Sequence, residues 1–396
     1  MLELEEKLIM RRRHLHRVPE LSGKETKTMQ YVCTELDKIG VPYQAGIAGN
    51  GIIAEIGSAT LDSRVLAIRA DMDALPITEE TNLPYASNFN GIMHACGHDA
   101  HTAILLTVCE YLQKNRKQLK GKVKFFFQPL EETSGGAEPM ISAGALENPT
   151  VDACIALHVD PELECGKIRI KEGNVYASPD DFEITVYGKS GHGAQPELCI
   201  DPILVAAHII TALQSITSRR LSPFDSAVIT IGAIHGGTCS NAIPGHVTMI
   251  GTARSATNEI RCMLEKEIEK IVRGICESFG ATYNYRFIRL FPPLINNAKI
   301  AHQIYNSAKL IVGNENAIWG GNSTMAGEDF SYFTQKVPGA IFKLGCRNEK
   351  SGITAPLHNS KFQVDEACLK FGAAIFADFA LNFLNQSNNE EQNKTI

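Results

Sequence analysis

The feature that most limits the folds open to this chain is an alternation, repeated several times, of a short apolar run with a helical stretch. "GIIAEIG" (51–57), "RVLAIRAD" (64–71), "KVKFFFQP" (122–129) and "VDACIALH" (151–158) are strand-like runs rich in Val, Ile, Ala and Phe. Between them lie segments of helical period, including 100–114 and a stretch around 136–146. Strands that are apolar at nearly every position are covered on both faces, so the expected architecture is a three-layer α/β domain with a largely buried sheet. Residues 1–40 carry a helical pattern that stops at Gly40.

Residues 180–290 follow another rule. "DFEITVYG" is a strand, and "DPILVAAHIITALQSIT" is a helix with Asp201 as N-cap and Pro202 at its first position. "SAVITIGAIHGG" and "HVTMIGTARS" are two more strands, "NEIRCMLEKEIEKIVRGICESFG" an amphipathic helix stopped at Gly280, and "TYNYRFIRL" a last strand. The order β-α-β-β-α-β is that of an α+β ferredoxin-like sandwich. "FPPLINN" then reads as the return to the first domain. The expected division is a discontinuous α/β domain over 1–178 and 291–385 with an inserted domain over 179–290. The polar end "NQSNNEEQNKTI" predicts disorder over 386–396.

Composition removes several classes of function. A net charge of −6 argues against a nucleic-acid partner. No apolar run reads as the roughly 20-residue stretch that crosses a bilayer, so no membrane association is expected. The start "MLELEEKLIMRRRHLHR" lacks the apolar core of a secretion signal. Its basic run reads as the solvated face of an amphipathic helix. Eleven cysteines without regular spacing read as reduced thiols, which predicts a cytoplasmic protein.

In an open α/β sheet, ligands bind beyond the carboxyl ends of the strands. Here strand after strand ends in residues able to hold a metal. "VLAIRADMD" delivers Asp71 and Asp73, "VKFFFQPLEE" delivers Glu131 and Glu132, and "ACIALHVD" delivers His158. "GIMHACGHDAH" sets His94, Cys96 and His98 on one face of an extended segment, with Asp99 placed to cap the helix that follows. Imidazole, carboxylate and thiolate together suit Zn²⁺, Mn²⁺ or Co²⁺ better than Ca²⁺ or Mg²⁺. The adjacent Glu131 and Glu132 offer a division of labour, one binding metal and the other taking a proton from bound water. Two ions about 3.5–4 Å apart can share that water.

"RADMDALPI", "MHACGHDAH", "FQPLEE", "ALHV", "GKSGHGAQP", "CSNAIPG", "MAGEDFSYF" and "PLHNS" occur in the order seen in the M20 metallopeptidase family. They most resemble its amidohydrolase branch of hippurate hydrolases, N-acetyldiaminopimelate deacetylases and auxin-conjugate hydrolases. The resemblance covers residues 10–385. It implies a metallopeptidase-type catalytic domain with two divalent ions per subunit, held by Cys96, His98, Glu132, His158 and His358. It implies Glu131 as general base and Asp73 as the carboxylate that orients a ligating imidazole. Asp71 sits where many relatives place a metal histidine. The inserted domain is implied to serve as lid and homodimer interface, with His192 and Asn241 touching substrate and Arg254 binding its carboxylate. The activity implied is hydrolysis of the amide bond of a small N-acyl amino acid. A nucleophilic Cys–His pair also cleaves amides, but it leaves Glu131, Glu132 and His358 without a role. His94 and His101 are expected beside the metal set rather than in it.

Overall fold

Seven-residue strands that are mostly apolar on both faces bury both only in the middle of a sheet, and that is where they lie. The computed structural model describes residues 4–60, 63–133 and 135–385. An eight-stranded mixed sheet runs in the order Tyr43–Ile47, Gly51–Gly57, Lys122–Gln128, Val65–Asp71, Ala153–Glu164, Gly339–Arg347, Ile168–Ile170, Ala317–Trp319. Val65–Asp71 is parallel to both of its neighbours, and every residue in it is buried. Helix His98–Lys114 covers it and packs in turn on helix Leu369–Asn385. Phe125 and Phe127 join the core under these helices, whereas Phe126 stacks on Phe333. Alternate residues of one strand thus serve opposite faces, as the period-2 geometry requires.

The chain divides into two compact units. The first runs to Gly173 and includes Ile295–Asn322 and the chain from Tyr332 onward. The second comprises Asn174–Leu294 and Ser323–Ser331. Its main sheet has four antiparallel strands, in the order Ala227–His235, His246–Ser255, Ser178–Tyr187, Thr282–Ile288. Helices Pro202–Arg219 and Asn258–Phe279 supply Val205, Ile209, Leu264 and Ile268 to a core shared with Phe182, Ile184 and Met249. Asp201 caps the first helix by accepting the N–H of Ile203 at 2.9 Å, and Gly280 ends the second in a left-handed conformation.

Four expectations need correcting. The N-terminal pattern is two helices, Glu5–Arg17 and Thr26–Ile39. Pro19 stands just past the first, where the residue before a proline leaves the helical region. Helix His98–Lys114 is capped by Gly97 (φ 87°), while Asp99 lies inside its first turn and caps nothing. The basic run of the first helix is a solvated face only in part, at Arg13, His14 and Arg17. Arg11 and Arg12 are buried: Arg11 pairs with Glu35 and Glu110, and Arg12 Nε donates to Asp99 Oδ2 at 2.8 Å. Finally, the segment Glu366–Asn385 is long and apolar enough to span a membrane by length and composition. It is a core helix here, its apolar side filled by Phe376, Phe379 and Phe383. The tail 386–396, expected to be disordered, lies outside the described residues. All eleven cysteines are free thiols.

Candidate metal centre

Three neighbouring strands of the first unit end at one place, and the loops leaving them carry the polar residues noted in the sequence. Asp71 closes Val65–Asp71 and is fully buried. Arg69 Nη1 donates to its Oδ2 at 2.7 Å, and His101 Nδ1 donates to its Oδ1 at 2.6 Å. His101 Nε2 accepts the N–H of Val159 at 3.0 Å, so both ring nitrogens are engaged and the tautomer is set. Burial opposes charge on Asp71, but His98, His101 and Arg69 outweigh it and hold its pKa well below the usual carboxylate range. His101 is therefore a brace between two strand ends, outside the ligand set. Asp71 is committed to a guanidinium and an imidazole.

Asp73 follows two residues later. His98 Nδ1 donates to its carbonyl oxygen at 2.9 Å and lies 3.4 Å from its Oδ1. Asp73 Oδ2 accepts the N–H of Glu132 at 2.9 Å and the hydroxyl of Ser22 at 2.5 Å. One residue thus holds both: the Asp73 carbonyl holds the His98 ring, and its carboxylate holds the Glu132 backbone. With Nδ1 occupied, His98 turns Nε2 toward Glu132 Oε1 at 3.8 Å. His158 makes the same choice: Nδ1 donates to the Val159 carbonyl at 2.7 Å, and Nε2 faces Cys96 Sγ at 3.5 Å. His358 enters from the far end of the chain on a residue with φ of 61°. Its backbone N–H is tied to the Ala95 carbonyl at 2.8 Å, and its Nε2 stands 3.4 Å from Glu132 Oε1.

Asp71 and His101 group closely with His98, and two further triads share a member. Cys96, His98 and His158 form one, Cys96, Glu132 and His358 the other, and the ligand atoms within each lie within 4.8 Å of one another. Glu131, also buried, groups with His98 and Glu132 in the same way. His98 Nε2 and Glu132 Oε1 are buried without a hydrogen-bond partner, a costly state unless something else satisfies them. Ligands bonded at 2.0–2.3 Å around one tetrahedral ion stand about 3.3–3.8 Å apart. The 3.5 Å and 3.4 Å spacings at Cys96–His158 and Glu132–His358 match that range. The residues fit a divalent metal. Burial, with Glu132 beside it, drives the Cys96 thiol pKa well above its ordinary value, so deprotonation there requires a compensating cation.

The remaining residues lie in the second unit. His192 and Asn241 come together on a small ribbon in which Ala242 pairs with His192 and the N–H of Gly193 donates to the Asn241 carbonyl at 2.8 Å. His192 Nδ1 accepts the Ala194 N–H at 3.0 Å, which leaves the ring proton on Nε2 of an exposed side chain. Arg254 sits apart on His246–Ser255, hydrogen-bonded to Thr252. His94 is buried beside the centre and belongs to none of the triads. Metal-ligand spacing gave no hint of Arg69, Ser22 or Glu25; an arginine inside an otherwise apolar strand run, "LAIRA", is the signal that could have found the first.

A buried sheet with a thiol, imidazoles and carboxylates massed at its strand ends defines a metal-binding hydrolase of the α/β type. The sequence profile of Peptidase family M20/M25/M40 matches residues 67–382. The chain is 39% identical to thermostable carboxypeptidase 1 of Saccharolobus solfataricus over 391 residues, 97% of each chain. It is 37% identical to N-acetyl-L-cysteine deacetylase of Bacillus subtilis over 392 residues, 98% of this chain and 91% of that one. Among solved structures it resembles the Bacillus subtilis YXEP protein, described as a dinuclear metal-binding peptidase of the M20 family, with a TM-score of 0.84 and 34% identity over 97% of this chain and 99% of that one. The chain belongs to the M20 peptidase family, and with it to the hydrolases of amide bonds.

Proposed function

We propose that this chain is a binuclear metal-dependent amidohydrolase that removes the acyl group from a small N-acyl amino acid, with Glu131 as general base. The observation that carries the reading is the pair of donor triads meeting at Cys96, with Glu131 a neighbour of both His98 and Glu132. Cys96, His98, Glu132, His158 and His358 hold two divalent ions of the Mn²⁺, Zn²⁺ or Co²⁺ class. When bound, the ions acidify a water and polarise the amide carbonyl.

The chain's own residues do the rest. Asp73 fixes the tautomer of His98 and the backbone of Glu132, so both ligands are aimed before any ion arrives. Glu131 takes a proton from the attacking water and hands it to the leaving amine, base first and acid second. His192 donates from Nε2 to the oxyanion, Asn241 contacts the substrate from the adjoining strand of the ribbon, and Arg254 binds the substrate carboxylate. The second unit, with its β-α-β-β-α-β order, is a ferredoxin-like lid and homodimer interface over 179–290. Its exposed Tyr187, Val228, Ile234 and Ile250 support an interface role. Free thiols throughout the chain support a reducing, cytoplasmic location.

The deacetylase relative supports an N-acyl substrate, whereas the carboxypeptidase relative favours a peptide. Purified protein supplied with Mn²⁺, Co²⁺ or Zn²⁺ is tested on N-acetyl and N-benzoyl amino acids and on dipeptides, with free amine as readout. The expected result is release from the acyl amino acids, and loss of turnover by about 10²–10⁴-fold in Glu131→Gln with metal retained. No release from the panel contradicts the enzyme reading, and release from dipeptides alone moves it to carboxypeptidase.

A further inference from the structure

Glu131 follows a backbone outlier. Leu130 has φ of 63°, in the left-handed region that disfavours any residue bearing a Cβ. Such a conformation persists only where its surroundings impose it, and here the agent is visible. The Leu130 N–H donates to Glu25 Oε1 at 3.0 Å, and the same oxygen accepts the Gly23 N–H at 2.8 Å. Asn50 Nδ2 donates to Glu25 Oε2 at 3.0 Å. Glu25 is fully buried, so these donors replace its lost solvent. The turn is closed on its other side by the Gly135 N–H donating to the Leu130 carbonyl at 2.9 Å.

The same N-terminal segment also reaches the second carboxylate of the centre. The Ala74 N–H donates to the Glu20 carbonyl at 2.8 Å, and Ser22 donates to the Asp73 oxygen that also accepts the Glu132 N–H. Residues 20–25 therefore grip the Glu131–Glu132 turn at both of its ends.

We propose that Glu25 is a positioning residue: its buried carboxylate holds the left-handed turn at Leu130 and so aims Glu131 and Glu132 into the metal centre, with Ser22 fixing the far end of the turn through Asp73. The assignment rests on Glu131 as the base. It differs from a packing role in one respect. Packing loss lowers stability, whereas loss of aim lowers kcat in protein that is still folded and loaded.

The test uses the metal-loaded full chain. Glu25→Met keeps the volume and removes the acceptors. Assayed at saturating metal, so that both ions stay bound, it is expected to lower kcat about 10- to 100-fold, with KM within about twofold. Glu25→Gln, which keeps an acceptor at Oε1, restores most of the rate. In a Leu130→Gly background the turn no longer needs to be forced, so the Glu25→Met penalty shrinks to about threefold or less. Leu130→Val reaches the same turn without touching Glu25 and lowers kcat likewise, which covers a Glu25→Met variant that fails to fold. Hydrogen exchange of the peptide spanning 129–133 reads the turn without reference to activity and is expected to speed up in Glu25→Met. Unchanged exchange, an equal penalty in both backgrounds, or a kcat loss that only tracks metal loss overturns the proposal. Faster exchange with unchanged kcat overturns it too. In that case Glu131→Gln separates the causes: an inactive variant keeps Glu131 as base, and an active one removes that reading as well.

Discussion

Asp71→His replaces a buried carboxylate with an imidazole, and it is expected to damage the protein. Arg69 and Asp71 are both buried, with 2.7 Å between Nη1 and Oδ2. Breaking a buried pair by removing one partner costs about 3–5 kcal/mol, because the other charge is left unpaired in a poorly solvating interior. His101 loses its acceptor in the same step, and an unmet buried donor costs about 1–3 kcal/mol. The two losses share one carboxylate and do not add in full, so the expected total is about 4 kcal/mol. Against a typical stability of about 5–15 kcal/mol that is a large fraction. Urea unfolding of the metal-free protein followed by Trp319, the chain's single tryptophan and a residue of the first unit, gives the number. Arg69→Met in the same background removes the stranded cation and is expected to recover more than half of the loss. An Asp71→His protein within about 1 kcal/mol of the parent would refute the reasoning, since it would show that Arg69 and His101 do not depend on that carboxylate.

Other perturbations probe separate parts of the account. Cys96→Ser removes the shared member of the two triads and is expected to lower metal retention for both ions by elemental analysis, where a structural thiol would leave retention unchanged. Gly97→Ala places a Cβ 2.4 Å from Val159 Cγ2 at a residue with φ of 87°; strain and overpacking together are expected to cost about 3 kcal/mol, measured by urea unfolding. Burial and Arg12 oppose charge on His16, yet Asp99 and Glu79 outweigh them and raise its pKa above 6.5. A raised pKa means that its contribution is complete below pH 6.5 and is lost as pH climbs through the folded value. His16→Gln is accordingly expected to cost more stability at pH 6 than at pH 9, and a loss independent of pH would assign His16 to packing alone.

The buried strands were legible because a run such as "VLAIRAD" has one physical home, the middle of a covered sheet. Some site candidates were legible for a related reason: Asp71 and His158 lie in such strands and Glu131 and Glu132 follow closely on one, so placing the strand places the residue. The helix cap at Asp201-Pro202 is local and could be read in the same way. What stayed hidden depends on partners far along the chain. Arg12 looks like part of a basic surface until Asp99, 87 residues away, is brought against it. Asp99 looks like a cap until Gly97 takes that place and frees its carboxylate for Arg12 and His16. Glu25 sits in "ELSGKE", a polar turn to any local reading, and only the fold delivers it to the N–H of Leu130. Tautomers are hidden for the same reason: both His101 and His98 donate from Nδ1, and only the fold shows that Nε2 of His101 accepts the Val159 N–H while Nε2 of His98 has no hydrogen-bond partner.

The central claim is that two divalent ions sit side by side with Cys96 common to both. Anomalous diffraction from crystals grown with Mn²⁺ tests it most directly. The account predicts two peaks about 3.5–4 Å apart, one among Cys96, His98 and His158 and the other among Cys96, Glu132 and His358, with Glu131 bound to neither. A single peak, or ions that leave Cys96 and His358 unliganded, would contradict it.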